Sequence, residues 1–491
     1  MTKHGQQHHA LLFIAIARHQ ILPSPHTYPI FPCHLDTSTT STMAIKTNKP
    51  ILVVTAFNAS GHTAGLMQIS EYLIKRGFQI YFVAGPTFKD PIEALGAVYI
   101  ENPFVWDDIY ASAPAGADAT WDLKHIFGAS VPTAHRVLRE TLERVRQEHP
   151  TRQVIIVHEA LSGGLGPFVY GAPLPKGYTS LPKVINFHTT IYAAADEKLP
   201  PFGPGLPYDP TPENLALWQA INQQIAPVMA GLADHYNGIY KSLGATRPLE
   251  GTFFDIMLGF GNATVMATTP SLEYPISHPH STLQLIGGLP LKPLPIDFVH
   301  PAWWPTITAN AALPSTSPEK KKLVFVTQGT IHRDYTEIII PTLTSLADRT
   351  DLIVVATLGA RGAQLPDDFT TPANAIVVDY LPYDALLPYT DVFVSNAGYG
   401  GFMQGIMNGV PMVLAGTLAD KAEVAARAEW AGVAVNLRAQ RPEGVAIMAG
   451  VDKVLGDGGF KRRAVELKGE NEGMGALGRF QGIVEGLVES V

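Results

Sequence analysis

From Pro50 onward the chain alternates short apolar runs with longer stretches whose apolar residues recur every three or four positions. That alternation predicts parallel strands covered on both faces by helices. Ile51 to Ala56 opens the series, apolar but for Thr55, as a strand buried on both faces should be. After the loop 57–62 the spacing predicts a helix over 63–75, with Leu66, Ile69, Tyr72 and Leu73 on one side and Gly77 ending it. Ile80–Ala84, Val154–Val157 and Val184–Phe187 read as further strands. A second series runs through Leu323–Val326, Leu352–Ala356, Ala375–Val378, Val392–Ser395 and Met412–Ala415. The two series share their punctuation without repeating sequence. Two similar open sheets facing each other across a cleft are predicted, with ligands at the carboxyl ends of the strands.

Proline breaks the pattern between about 200 and 320, with a cluster from Pro200 to Pro212 and another from Pro290 to Pro318. Prolines at that density remove backbone donors and argue against long regular elements there, so the later cluster reads as a linker. The expected organisation is an N-terminal Rossmann-like acceptor-binding domain over 47–295, a linker over 296–320, and a C-terminal Rossmann-like domain over 321–475. A last helix, 476–491, is patterned through Leu477, Phe480, Ile483 and Leu487. Residues 1–46 read as an extension. They hold His4, His8 and His9 without a partner ligand, and a Thr/Ser run precedes Met43.

Composition narrows the function. The 491 residues suffice for two to four domains at roughly 100–200 residues each. Hydrophobic residues are 46% and charged ones 16%, the latter below the roughly 25% of an average soluble protein, so a large core is available. A net charge of −8, with no basic tract beside aromatic residues, excludes a nucleic-acid reader. The one cysteine, Cys33, allows no internal disulfide and fits a cytoplasmic protein. The longest early apolar run, Ala10–Ala17, is far short of the roughly 20 residues a bilayer span needs, so no stable membrane insertion is expected.

The chemistry concentrates in Val394-Ser395-Asn396-Ala397-Gly398-Tyr399-Gly400-Gly401-Phe402-Met403-Gln404, followed by Gly409-Val410-Pro411. A buried strand runs into glycines and then into a helix, so unhindered backbone N–H groups and a helix N-terminus converge where an anion would sit. Val326-Thr327-Gln328-Gly329-Thr330 repeats the strand-glycine-hydroxyl order and could hold the other side of a diphosphate. No Asp-x-Asp, His-Glu-x-x-His or Cys-x-x-Cys occurs, so no metal is expected.

The Asn396–Gly401 arrangement, the Gly409-Val410-Pro411 step and the Asp420-Lys421 pair resemble the nucleotide-sugar signature of UDP-glycosyltransferases, and fungal macrolide-glycosyltransferase-like enzymes above all. The resemblance spans roughly 50–485 and implies an α/β fold of the GT-B type. It implies an inverting, metal-independent hexosyltransferase with no cofactor beyond the UDP-sugar donor. The partners implied are that donor and a small apolar or aromatic acceptor, such as a phenol or polyketide. A lipid or sterol transferase of the same fold, or a nucleotide-sugar-binding protein without turnover, is the alternative; a monomer or weak homodimer is expected.

Carried over position by position, the resemblance puts Gly398, Gly400 and Gly401 on the diphosphate with Thr330 opposite, and Tyr380-Leu381 on the uracil. Asp420 and Lys421 fall where the family holds sugar hydroxyls with an acid and a glutamine. Three positions depart from the pattern: Asn396 stands for histidine, Gly401 for serine or threonine, and Gln404 for the glutamate on the ribose. His62, in Ser60-Gly61-His62-Thr63, matches the family's catalytic histidine, a base for the acceptor hydroxyl. Glu159 stands where the family has an aspartate orienting that histidine, one methylene longer; His158 and Asp122 are the other candidate partners. His188 could face the acceptor, Trp303-Trp304 could pack the linker on a domain, and 200–212 could close over the acceptor.

Overall fold

The structure is a computed structural model that describes residues 49–489 except 115–116, 194–195, 250, 255–258, 295–297 and 332. The predicted extension 1–46 and its histidines lie outside the described residues.

Two all-parallel sheets form the frame. The front sheet contains β1 (Ile51–Thr55), β2 (Gln79–Ala84), β3 (Val98–Glu101), β4 (Val154–Glu159), β5 (Lys183–His188), β6 (Ala263–Met266) and β7 (Leu283–Leu285), in the order β3-β2-β1-β4-β5-β6-β7. The rear sheet contains β8 (Lys322–Thr327), β9 (Leu352–Thr357), β10 (Ala375–Val378), β11 (Val392–Ser395), β12 (Met412–Leu414) and β13 (Ala434–Asn436), in the order β10-β9-β8-β11-β12-β13. Each order reverses once, between β1 and β4 in front and between β8 and β11 behind. Ligands in open α/β sheets bind outside the carboxyl ends of the strands at such reversals. The registers bring those ends level, Thr55 beside His158 and Ser395 beside Thr327.

The central strands β1, β4, β9 and β11 are buried along their whole length, which is why an unbroken apolar run betrayed them. The edge strands β3 and β7 are half exposed and short, so they carried no such run. A helix over Ser60–Ile74 follows β1, so His62 stands in a first helical turn rather than in the loop before it.

The proline-rich middle departs from the expectation. Pro212–Ser242 is a 31-residue helix with Pro227 inside it, and Thr211 caps its start by accepting from Asn214 N. Pro212 fills the first helical position, where the missing N–H costs nothing and the fixed φ helps. The predicted linker likewise contains a helix, Trp304–Ala312, whose Trp304 and Ile307 are buried in the rear core. The last helix, Ala476–Gly486, buries Ala476, Phe480 and Val484 in the front core, and Gln153 Nε2 donates to Leu487 O. No described helix is long and apolar enough to cross a membrane.

Candidate active site

At the front reversal, the helix after β1 presents His62 to the end of β4. His62 Nδ1 lies 2.9 Å from Glu159 Oε1, and Glu159 is fully buried. A buried carboxylate needs donors. Phe57 N donates to its Oε2 at 3.3 Å; Leu161 N and Thr189 Oγ1 donate to Oε1 at 3.3 and 3.1 Å. Burial pushes the Glu159 carboxyl up, but His62 beside it and the Leu161 N–H hold it below its ordinary range. With Nδ1–H donating to that carboxylate, Nε2 is left as the basic nitrogen.

Burial disfavours a charged imidazole at His62, yet Glu159 and, behind it, Asp420 raise its pKa above the ordinary 6.5. The side chain keeps 22% of its surface exposed, enough for a substrate to reach. The rings of Phe57 and Phe127 stand 5.5 and 6.0 Å from it and 4.6 Å from each other, and Trp106 lies 6.4 Å from Phe57. These aromatic faces make an apolar wall beside the base.

The other candidate partners are elsewhere. His158 points to the opposite face of β4 from Glu159, as alternation along a strand requires. It is fully buried, 3.4 Å from Asn186 Oδ1, with its pKa pushed down by burial to about 4. Asp122 couples with Lys421. His188 is buried on Asn186 Nδ2, and its neighbour Thr189, which carries no motif that would single it out, is the residue that meets His62.

At the rear reversal two glycine-bearing loops lie side by side. Asn396 Nδ2 donates to Gln328 O at 2.6 Å, so this amide ties the loop after β11 to the loop after β8. Gln328 is itself buried, donating to Asp334 O and accepting from Ile338 N and Ile339 N, which fixes the loop that carries Thr330. Ala397 adopts φ +59, a conformation uncommon for a residue with a Cβ. Gly359 holds φ +81, and a Cβ there would stand 1.9 Å from Gly329 O, so only glycine lets the second loop pass.

The helix Tyr399–Asn408 begins at Gly398, with Gly400 exposed and nothing within 4 Å of a Cβ built on it. The first-turn N–H groups of a helix have no partner within it, and no side chain crowds this turn at Gly400; Thr330, in the loop after β8, is likewise exposed. Gly401 borders Tyr383. Gln404 Oε1 is buried and accepts no hydrogen bond among the described residues. Tyr380 is 40% exposed with the Arg361 guanidinium 5.0 Å from its ring centroid, while the Leu381 side chain is buried in the rear core.

Asp420 and Lys421 open the helix Lys421–Trp430 and join the two reversals. Thr190 Oγ1 donates to Asp420 Oδ2 at 2.5 Å, and the loop at Gly416 packs between Asn396 O and the Lys421 side chain. Burial lowers the Lys421 pKa against the pull of Asp420, Glu337 and Asp122. The segment 200–212 docks on the same helix, Gly203 N and Gly205 N each donating to Glu423 Oε1 at 2.8 Å.

Two Rossmann-like halves, with a carboxylate-held histidine in one and a glycine cradle in the other, define a glycosyltransferase of the GT-B fold. The solved glycosyltransferase of kitacinnamycin shares it, with a TM-score of 0.63 at 15% identity over 90% of this chain and 100% of that one. Residues 341–479 match the family described as the erythromycin biosynthesis protein CIII-like C-terminal domain. UDP-glucosyltransferase 1 of Beauveria bassiana is 38% identical over 439 residues, 87% of this chain and 93% of that one. UDP-glucosyltransferase B1 of Starmerella bombicola is 30% identical over 88% of this chain and 96% of that one. The chain belongs to the UDP-glycosyltransferases, of macrolide-glycosyltransferase-like type, and is an enzyme that uses a UDP-sugar.

Proposed function

We propose that the enzyme transfers glucose from UDP-glucose, with inversion at the anomeric carbon, to a hydroxyl of a small aromatic or polyketide-like acceptor. The observation that carries this reading is the His62–Glu159 pair, 2.9 Å apart, standing against the Phe57 and Phe127 rings. A flat apolar acceptor stacks on such a wall and presents its hydroxyl to Nε2. Glucose as the sugar is supported by the names of both relatives.

In the step itself the acceptor oxygen bonds to the anomeric carbon while His62 Nε2 takes its proton. The bond from that carbon to the β-phosphate oxygen breaks, and its electron pair leaves with UDP. Main-chain N–H groups at Gly398, Gly400 and Gly401 and the Thr330 hydroxyl receive the diphosphate, and Asp420 and Lys421 hold sugar hydroxyls. Tyr380 offers its ring to the uracil, and Gln404 Oε1, buried with no donor among the described residues, suits a ribose hydroxyl. Preorganised donors of this kind stabilise charge as it develops on a leaving group. The donor is a substrate, and no further cofactor is part of this reading.

Incubation with UDP-glucose, competing UDP-sugars and a mixed panel of phenols tests it by mass and product anomer. A hexosyl adduct of inverted configuration, formed best from UDP-glucose, is expected; absence of transfer across the panel, or a retained anomer, contradicts the proposal. The same assay run with EDTA should give an unchanged rate, and a loss restored by a divalent cation would refute the metal-independent step.

A further inference from the structure

We propose that Thr189 and Thr190 are positioning residues for sugar transfer, the first setting the base and the second docking the sugar-holding acid. The assignment rests on the reading of His62 as the base and Asp420 as a sugar ligand. These two neighbours leave the end of β5 with their hydroxyls turned to opposite halves of the molecule. Thr189 Oγ1 donates to Glu159 Oε1 at 3.1 Å and lies 3.2 Å from His62 Nδ1. Thr190 Oγ1 donates across to Asp420 Oδ2 at 2.5 Å.

The residues that follow bolt this strip to the rear half. Ile191 is buried in the rear core and Tyr192 O accepts from Arg427 Nη2 at 3.0 Å, while Tyr192 N keeps a tie to the front half by donating to Glu273 Oε1 at 3.3 Å. Two functional carboxylates, one in each half, are thus fixed by adjacent residues of a segment that neither half can move alone. Glu159 needs its oxygen fixed to hold one imidazole tautomer, and Asp420 needs one oxygen anchored so that the other faces the sugar. A misplacement of about 1 Å at such a group can cost about a hundredfold in rate.

Valine and serine separate hydroxyl from shape. With UDP-glucose and a phenol that the parent glucosylates, Thr189→Val should lower kcat by roughly 10- to 100-fold with the donor KM within about twofold, since a charged acceptor loses a donor. Thr189→Ser should recover most of the rate. Thr190→Val should instead raise the donor KM by about 5- to 10-fold and change kcat less, the mark of weakened ground-state binding. A Thr189→Val enzyme with the parent's kcat, or a Thr189→Ser enzyme as slow as Thr189→Val, overturns the role of Thr189. An unchanged donor KM in Thr190→Val overturns that of Thr190. His62→Ala is assayed alongside: if it transfers as fast as the parent, the underlying reading fails. If it is inactive while both valine variants match the parent, only the present assignment fails.

Discussion

His62→Ala is expected to lower kcat by about 10²–10⁴ while leaving UDP binding near the parent value. The base belongs to the front half and the diphosphate cradle to the rear, so removing the imidazole takes away the proton acceptor and none of the donor's ligands. The pH dependence of kcat/KM for the donor carries the same chemistry. Nε2 accepts a proton only when the ring is neutral, so the rate should climb with pH. Its midpoint should lie above the ordinary 6.5, because Glu159 and Asp420 together outweigh burial in favouring the charged ring. Glu159→Gln removes the larger of those two supports. Burial then prevails, so the acidic limb should shift below 6.5, while kcat falls for want of an oriented ring. Turnover undiminished in His62→Ala, or an acidic limb that stays put in Glu159→Gln, would remove histidine from the proton transfer.

The pairing of His62 with Glu159 was legible because the family resemblance marks both positions, and segments that leave the strands on either side of a sheet reversal converge. Thr189 and Thr190 were not, since a hydroxyl residue after a strand is commonplace and only the fold shows what it meets. Asn396 was legible only as the residue in place of the family's histidine; the fold adds that one of its amide N–H groups ties two loops together. The Pro212–Ser242 helix escaped notice because the prolines before it suggested an irregular stretch and its first half buries little besides Trp218. Only Leu232, Tyr236 and Tyr240, four residues apart, show a buried stripe. Nor could the chain reveal that Arg427 meets Glu273, 154 positions away.

Arg427→Met is expected to produce the largest loss of stability. The guanidinium is 4% exposed, donating to Glu273 Oε2 at 2.9 Å, to Glu423 Oε2 at 3.1 Å and to Tyr192 O, with the Tyr274 ring 4.4 Å away. Glu273 and Tyr192 belong to the front half, Glu423 and Arg427 to the helix that begins with Asp420 and Lys421. Methionine fills the space but leaves two buried carboxylates uncompensated, a loss of about 3–5 kcal/mol and a Tm lower by roughly 6–10 °C. Burial already raises the Glu273 pKa against the pull of Arg427, and removing that pull raises it further. A carboxyl whose folded pKa exceeds its unfolded one contributes stability at low pH and loses it as pH rises through the folded value. The deficit of the variant against the parent should therefore be widest near pH 8 and narrow toward pH 5, and Glu273→Gln added to Arg427→Met should recover part of it. Thermal melts of the parent and both variants at the two pH values decide the matter. A deficit that is the same at both, or undiminished in the double variant, would mean that lost packing rather than stranded charge sets the cost of breaking this contact between the halves.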